Sequence, residues 1–197
     1  MMRAPALAAA AVAAMLAASA SQAAPVFYST DLSGAAENPP NASPASGTGL
    51  LGYDVAAHLM TIEIDFSGLL GQTTVAHIHC CVAPPNNTAP ATTVPSFPGF
   101  PTGISSGSYS ASFNTLDAGT WNPAFIAANG GTAAGAEAAF AAGLDAGFAY
   151  LNLHSNQFPA GEIRGYLTPV AVPEPATLGL FAGAIGLLAL VRRRARD

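Results

Sequence analysis

Residues 58–66 read His-Leu-Met-Thr-Ile-Glu-Ile-Asp-Phe, and this stretch decides the fold class. Within it, Ile62, Ile64 and Phe66 alternate with polar residues. Because successive side chains of a β-strand point to opposite faces of the sheet, an apolar period of two predicts a strand with one buried face and one solvated face. The stretch therefore predicts a half-buried strand, which is typical of an antiparallel sheet.

Short segments of the same kind lie on both sides of this strand. Further strands are predicted at residues 26–32, 47–55, 73–79, 104–113, 148–154 and 162–168. One short helix is predicted from Pro123, with Asn122 as its N-cap, and a second over residues 132–142. The pattern predicts a mostly β domain, an antiparallel β-sandwich or barrel of about six to eight strands with one or two short helices.

A long irregular segment interrupts the pattern at residues 80–103. It contains six prolines, which exclude a central strand or a helix there. Loops of this length in a compact domain are usually functional or disordered. Phe97 and Phe100 within the segment indicate that it packs against the rest of the domain.

The N-terminus has the pattern of a targeting sequence. Arg3 precedes an Ala-rich apolar run, and Ser21-Gln22-Ala23 supplies the small residues that a signal peptidase recognises. We therefore predict a signal peptide at residues 1–23 and a mature domain at residues 24–171.

The C-terminus, residues 172–197, has three parts in a fixed order. Pro173-Glu174-Pro175 comes first, followed by sixteen uncharged residues at 176–191 and then by four arginines. Sixteen residues are somewhat fewer than the ~20 that cross a bilayer upright, so residues 176–191 predict a short transmembrane segment with its basic end in the cytoplasm. Hydrophobic targeting helices are thus expected to flank the β domain on both sides.

This C-terminal order resembles the PEP-CTERM sorting tail of bacterial proteins that are handled by an exosortase-type enzyme. The resemblance implies that Pro173, Glu174 and Pro175 form the sorting signal and that an exosortase-type enzyme is a partner. It also implies export across the inner membrane, a precursor that is transiently anchored in the membrane, and a final location at the cell surface or outside the cell.

The domain between the targeting segments is acidic. Residues 24–171 contain nine acidic residues and no cation except Arg164, and the chain has no lysine. Nucleic acid and anionic lipid both require a basic surface, so the composition excludes them as partners of this domain. Cationic partners such as metal ions are compatible with this charge.

Three motifs of the domain occur in an order that resembles a known family. They are Leu-Ser-Gly-Ala-Ala-Glu-Asn-Pro-Pro at residues 32–40, Ala-His-Ile-His at residues 76–79, and Leu153-His154 followed by Gly-Glu-Ile-Arg-Gly at residues 161–165. Together they resemble the CHRD domain, over about residues 30–168. The resemblance implies an extracellular β module without a settled biochemical activity. In that family Gly-Pro usually follows the His-Ile-His segment, whereas Cys80-Cys81 stands there in this chain.

Three histidines are the strongest candidates for a binding site. His77 and His79 share one face of their predicted strand, and His154 lies at the end of another strand with Tyr150 and Asn152 on its face. If the two strands are neighbours, the three imidazoles meet at one end of the sheet and form a ligand set that suits copper or zinc. The alternative is a polar face whose imidazoles bond only to backbone or carboxylate groups.

The His-x-His strand with a distant third histidine is similar to the copper site of Cu/Zn superoxide dismutase. The further His and Asp cluster that forms the zinc site of that family does not occur here, so its activity is not carried over. Cys80 and Cys81 are adjacent, and the sequence leaves open a disulfide between them, a free thiol pair, additional metal ligation, or cross-links to another chain.

Arg164 is expected to pair with a carboxylate, because it is the only cation of the domain. Glu162 shares its face at a spacing of two, which predicts a structural ion pair, with Asp65 as a second candidate partner. The functional alternative is that the guanidinium recognises an acidic ligand.

Motifs of common catalytic sites are missing from the sequence: it contains no nucleophile elbow, no phosphate-binding glycine loop and no HExxH motif. Two hypotheses follow. The first is a non-enzymatic surface module that associates with extracellular matrix or surface components. The second is a copper- or zinc-binding extracellular protein, with a redox role left open, that uses His77, His79 and His154 with Cys80 or Cys81 nearby.

Overall fold

A computed structural model describes residues 24–170, and these residues form one antiparallel sheet with two short helices. The strands are β1 Val26–Ser33, β2 Ser46–Asp54, β3 Leu59–Ser67, β4 Thr73–His79, β5 Gly107–Asn114, β6 Tyr150–Ser155, β7 Ile163–Tyr166 and β8 Thr168–Pro169. The helices are α1 Pro123–Ala128 and α2 Ala133–Asp145, with single 3-10 turns at Gly34–Ala36 and Ala118–Thr120. The predicted mostly β antiparallel class with two short helices is confirmed.

The strands pair in the order β4-β6-β7-β1-β2-β3-β5, and β8 adds to β1 beside this path. The result is a single curled sheet of half-barrel shape, in which β4 and β5 are the two end strands. β4 and β6 are separated in sequence by residues 80–149 but are hydrogen-bonded neighbours. This pairing brings the candidate histidines on the two strands together.

The alternating stretch in β3 behaves as predicted. Met60, Ile62, Ile64 and Phe66 are buried, while the polar residues between them face outward. Burying one such side chain completely contributes about 1.5–3 kcal/mol. The core on this face continues through the strands and helices with large buried side chains, among them Leu51, Ile78, Phe97, Trp121, Phe140, Leu144, Leu151 and Leu153.

The proline-rich segment runs along the free edge of β4 and supplies backbone partners to it. The amide of Ala91 donates to the carbonyl of Ile78 at 2.9 Å, and the amide of Phe97 donates to the carbonyl of Ala76 at 3.2 Å. Phe97 and Phe100 are buried in the core, as their position in the loop predicted. The segment therefore covers an edge that would otherwise expose unpaired groups.

Several predicted boundaries differ from the observed ones for local reasons. The strand predicted from residue 104 begins at Gly107, because the carbonyl of Ile104 accepts from the amide of Thr73 at 2.8 Å instead of joining the ladder. The last predicted strand divides into β7 and β8, because the amide of Leu167 donates to Ala149. Helix α2 extends three residues beyond the predicted end and ends at Asp145.

The predicted targeting segments lie outside the described residues. These are the signal peptide at residues 1–23, the sorting signal Pro173-Glu174-Pro175, and the transmembrane segment at residues 176–191. Within residues 24–170, no helix has the length and apolar character needed to span a bilayer.

Candidate metal centre

The three candidate histidines meet on the face of the sheet opposite to the core. His77 and His79 lie on β4, and His154 lies on β6, where it pairs with Val75 across the two strands. One ring nitrogen from each histidine lies within 4.8 Å of the corresponding nitrogens of the other two. The residues between them, such as Ile78, point into the core, so the period of two separates the site from the apolar face.

Each imidazole is oriented by a backbone carbonyl. His77 Nε2 lies 2.5 Å from the oxygen of Pro95, His79 Nδ1 lies 2.7 Å from that of Thr88, and His154 Nδ1 lies 3.0 Å from that of Pro159. A carbonyl oxygen only accepts hydrogen bonds, so these three nitrogens carry the protons. The tautomers place a free lone pair on His77 Nδ1, His79 Nε2 and His154 Nε2.

Those three lone pairs have no partner within the described part of the chain. All three nitrogen atoms are buried and without a hydrogen bond. An unsatisfied buried polar group costs about 1–3 kcal/mol, and proteins rarely keep one without a reason. Three such nitrogens in one histidine cluster, each on a ring whose other nitrogen bonds to a carbonyl, are typical of metal-binding histidines and their supporting hydrogen bonds.

The spacing of the nitrogens is near that of a shared metal site but wider. Nitrogen ligands lie about 2.0–2.1 Å from zinc, so two ligands of one tetrahedral ion are about 3.4 Å apart. One nitrogen of each ring lies within 4.8 Å of those of the other two rings, which exceeds that separation by at most about 1.4 Å. Binding one ion therefore requires the rings to move toward one another.

Burial keeps the imidazoles in the form that binds metal. It lowers the pKa of His79 to about 4, and it lowers the pKa values of His77 and His154 as well. In each case the hydrogen bond to the backbone carbonyl acts in the opposite direction but is the smaller effect. The three rings are therefore neutral at physiological pH, as a metal ligand must be.

The loops that orient the imidazoles follow from the sequence as loops, but the sequence did not indicate that their carbonyls bond to the histidines. Thr88 and Pro95 belong to the proline-rich segment, and Pro159 belongs to the turn between β6 and β7. The ring of Tyr150 stacks on His79 with centroids 4.7 Å apart and planes 4° apart. The Tyr150 hydroxyl lies 3.2 Å from the amide nitrogen of Thr88 and so bonds to the loop that orients His79.

The predicted ion pair between Glu162 and Arg164 is wrong. The carboxylate nearest to Arg164 is that of Glu37, at 3.9 Å, and the guanidinium also donates to the carbonyls of Ala36 and Pro85 at 2.6 and 2.9 Å. Glu162 precedes β7 instead of lying within it, so the spacing of two does not place the two side chains together. Arg164 is 1% exposed and is fully used in holding loops.

Glu162 serves a different structural purpose. Its carboxylate accepts hydrogen bonds from the Ser43 hydroxyl at 2.7 Å, from the amides of Leu70 and Gly71 at 2.5 and 3.2 Å, and from the Ser155 hydroxyl. Burial alone would raise the pKa of Glu162, but these hydrogen bonds outweigh it and hold that pKa below its usual range. The residue joins three loops that sequence reasoning treats as separate.

Glu37 and Asn152 are the site residues that the sequence analysis did not single out. The Asn152 amide nitrogen donates to both carboxylate oxygens of Glu37, at 3.0 and 3.3 Å. Burial raises the pKa of Glu37 to about 7, against the opposing effects of Arg164 and Asn152. Two signals in the sequence could have found them: Glu37 lies within the 32–40 motif, and Asn152 shares the strand face of His154.

The two cysteines form a disulfide with each other. Because the thiolate is the form of cysteine that ligates metal, Cys80 and Cys81 are not the additional metal ligands that the sequence offered. Their sulfur atoms pack against Gly143 of α2, where a methyl group would overlap both of them. The disulfide thus belongs to the packing of the helix on the sheet.

The fourth histidine lies elsewhere and has a structural partner. His58 sits in the turn before β3, and its Nδ1 lies 3.0 Å from a carboxylate oxygen of Glu137 on α2. The Thr115 hydroxyl also donates to that carboxylate. His58 provides a natural control, because it is a histidine outside the candidate site.

Comparisons with known proteins agree with the resemblances to the CHRD domain and to the PEP-CTERM tail. A family model described as the CHRD domain matches residues 28–167, and one described as the PEP-CTERM protein-sorting motif matches residues 171–195. No curated protein and no solved structure matches the chain. The sorting motif indicates export, processing by exosortase-type machinery and sorting to the cell surface.

Proposed function

Because this chain belongs to the CHRD domain family and carries a PEP-CTERM motif, we propose that it is an exported surface module that binds a copper or zinc ion through His77, His79 and His154. The module works as a non-enzymatic component of the cell surface or the surrounding matrix. Signal peptidase removes residues 1–23. The exosortase-type enzyme processes the tail at Pro173–Pro175, and residues 176–191 anchor the precursor until then.

One observation carries the metal assignment: in a cluster where one ring nitrogen of each histidine lies within 4.8 Å of those of the other two, every ring has one nitrogen that donates to a carbonyl and one that is buried without a partner. Histidines that merely completed a polar face would have partners for both ring nitrogens. The present arrangement satisfies one nitrogen of every ring and leaves the other without a partner inside one cluster. A bound cation supplies the missing partner to all three nitrogens at once.

The donor set favours copper or zinc over other common ions. Calcium and magnesium require oxygen ligands, whereas neutral imidazoles suit borderline metals such as copper and zinc. Within the described residues, His77, His79 and His154 are the one group of three or more His, Cys, Asp or Glu side chains whose ligand atoms lie within 4.8 Å of one another. When bound, such an ion would supply Lewis acidity or, for copper, one-electron redox chemistry.

Metal stoichiometry tests this proposal. The purified protein is equilibrated with micromolar copper(II) or zinc(II), desalted, and analysed for metal per chain. We expect one ion per chain in the wild type and in His58→Ala, and none after the double substitution His77→Ala and His79→Ala. A wild-type protein that retains no metal, or a double variant that retains all of it, contradicts the assignment.

A further inference from the structure

A fourth side chain on the histidine face has an unused polar atom. Asn152 is 3% exposed, and its Oδ1 is buried without a hydrogen-bond partner. Together with the three imidazole nitrogens, this oxygen makes four unpaired acceptors on one part of the sheet. The remaining unpaired buried atom among the described side chains is the Tyr166 hydroxyl, which lies across Tyr150 from His79.

The strand register places Asn152 next to all three ligands. It pairs directly with His77 on β4, it precedes His154 by two positions on β6, and its neighbour Tyr150 pairs with His79. Directly opposed residues of an antiparallel pair project to the same face with Cβ atoms about 4.5–5.5 Å apart. The Asn152 side chain therefore belongs to the histidine cluster and not to the core.

The orientation of the Asn152 amide is fixed from behind. Its Nδ2 donates to both oxygens of Glu37, which directs Oδ1 away from that carboxylate. Glu37 is held in turn by Arg164, whose Nε lies 3.9 Å from a carboxylate oxygen. Gly161 packs closely on this pair, since a methyl group there would lie 2.7 Å from both polar atoms of the amide. The chain thus uses a glutamate and an arginine to fix an acceptor on the face of the sheet that carries the three histidines.

We propose that Asn152 Oδ1 accepts a hydrogen bond from a water molecule bound at an open fourth position of the metal ion. This inference rests on the proposed three-histidine site. Three imidazoles leave such a position open on a tetrahedral ion, as in catalytic zinc sites. An acceptor beside that position favours exogenous ligands that carry O–H or N–H groups, such as water, over anions that only accept. The site therefore selects small protic ligands.

Exchange of the bound water for azide tests the role of Asn152. The probe is the copper(II)-loaded full protein, titrated with azide and followed by the azide-to-copper charge-transfer absorption. Asn152→Leu removes the acceptor while retaining similar volume, and Asn86→Leu is the matched control on an exposed loop. Losing one hydrogen bond to the bound water is expected to tighten azide binding about tenfold in Asn152→Leu and to leave it unchanged in the control.

The same experiment distinguishes the proposed three-histidine site from the proposed role of Asn152. Copper should bind the wild type and Asn152→Leu with affinities that agree within about threefold, because asparagine does not ligate the ion in this proposal. If the wild type binds no copper, the three-histidine site itself is wrong. If copper binds but azide affinity is the same in both proteins, the histidine site stands and the role of Asn152 is refuted.

A second measurement needs no variant and protects the test against misfolding of Asn152→Leu. Deuterium exchange of the copper(II)-loaded wild type, followed by electron–nuclear double resonance, detects exchangeable protons on a water ligand of the ion. We expect such protons in the wild type. Their absence would overturn the proposal regardless of how the variant behaves.

Discussion

Replacing His79 with phenylalanine separates a metal ligand from a structural histidine. Phenylalanine keeps the stacking on Tyr150, at 4.7 Å in the wild type, but removes both ring nitrogens. Losing the hydrogen bond to Thr88 costs about 0.5–1.5 kcal/mol, whereas removing the unpaired Nε2 returns about 1–3 kcal/mol. The metal-free variant should therefore lie between about 0.5 kcal/mol less stable and about 2.5 kcal/mol more stable than the wild type.

With zinc bound, the wild type should be the more stable of the two proteins. An ion that binds only the folded state at 100 times its dissociation constant raises the free energy of unfolding by about 2.7 kcal/mol. The wild type should gain this stability with zinc, and His79→Phe should gain little of it. Urea unfolding with chelator and with zinc measures both effects, and Trp121, buried in the core and the single tryptophan of the chain, reports the transition by fluorescence.

The same substitution at His58 is the control and has the opposite expected sign. It removes one of the hydrogen-bond partners of the buried Glu137 carboxylate and relieves no unpaired nitrogen of the metal cluster, so the metal-free protein should lose stability. Zinc should stabilise that variant as it does the wild type. A loss of more than about 2 kcal/mol in metal-free His79→Phe, with no zinc effect on the wild type, would refute the reasoning and make His79 structural.

Three further predictions test other parts of the structure. Glu162→Gln should lower the free energy of unfolding by about 2–3 kcal/mol at pH 7. The difference between the wild type and this variant should shrink as pH falls through the lowered pKa of the Glu162 carboxyl, because the wild type then loses its charged hydrogen-bond acceptor. Equal urea midpoints of the two proteins at pH 7 would contradict this. Gly143→Ala should lower the free energy of unfolding by about 1–3 kcal/mol, because the added methyl group overlaps the sulfurs of Cys80 and Cys81. An unchanged melting temperature in thermal unfolding would argue against that packing. Between pH 7.5 and 6.0 the zinc affinity should fall by much less than the roughly fiftyfold that three ordinary imidazoles would lose, because burial lowers the pKa values of His77, His79 and His154. A calorimetric titration that shows the fiftyfold loss would mean that these pKa values are not lowered.

The effect of burial on the histidines also gives the metal-free fold a defined pH dependence. Since the folded pKa of His79 is about 4 and an unfolded histidine titrates near 6.5, the unfolded chain binds the extra proton first. The metal-free protein should therefore lose stability as pH falls from about 6.5 toward 4. Glu37 acts in the opposite direction over its own range, because its folded pKa of about 7 lies above the unfolded value.

The parts of the site that were predictable from sequence follow from the strand period of two. His77 and His79 fall on one face wherever the strand lies, and His154 shares its face with Asn152 for the same reason. The histidines come together only because β4 pairs with β6. From the sequence alone, that pairing was an assumption and not a prediction. The proline-rich segment was correctly predicted to pack, since its phenylalanines required a core.

The remaining features depend on contacts between distant loops. Arg164 was assigned to Glu162 because the two are close in sequence, but the guanidinium turns to the 34–37 turn and to Pro85, 128 and 79 residues away. Glu37 reaches Asn152 over a separation of 115 residues. A period or a spacing carries no information about such contacts, because they depend on how a loop crosses the finished sheet. The carbonyls that orient the imidazoles are backbone groups and leave no residue signature.

The most direct test of the central claim is ¹⁵N NMR of the histidine side chains, with and without zinc. In the metal-free protein, the account predicts that His77 is protonated on Nε2 and that His79 and His154 are protonated on Nδ1. Addition of one equivalent of zinc should then shift His77 Nδ1, His79 Nε2 and His154 Nε2, and leave the His58 nitrogens unchanged. Spectra in which zinc moves none of these three nitrogens, or in which the tautomers are reversed, would contradict the account.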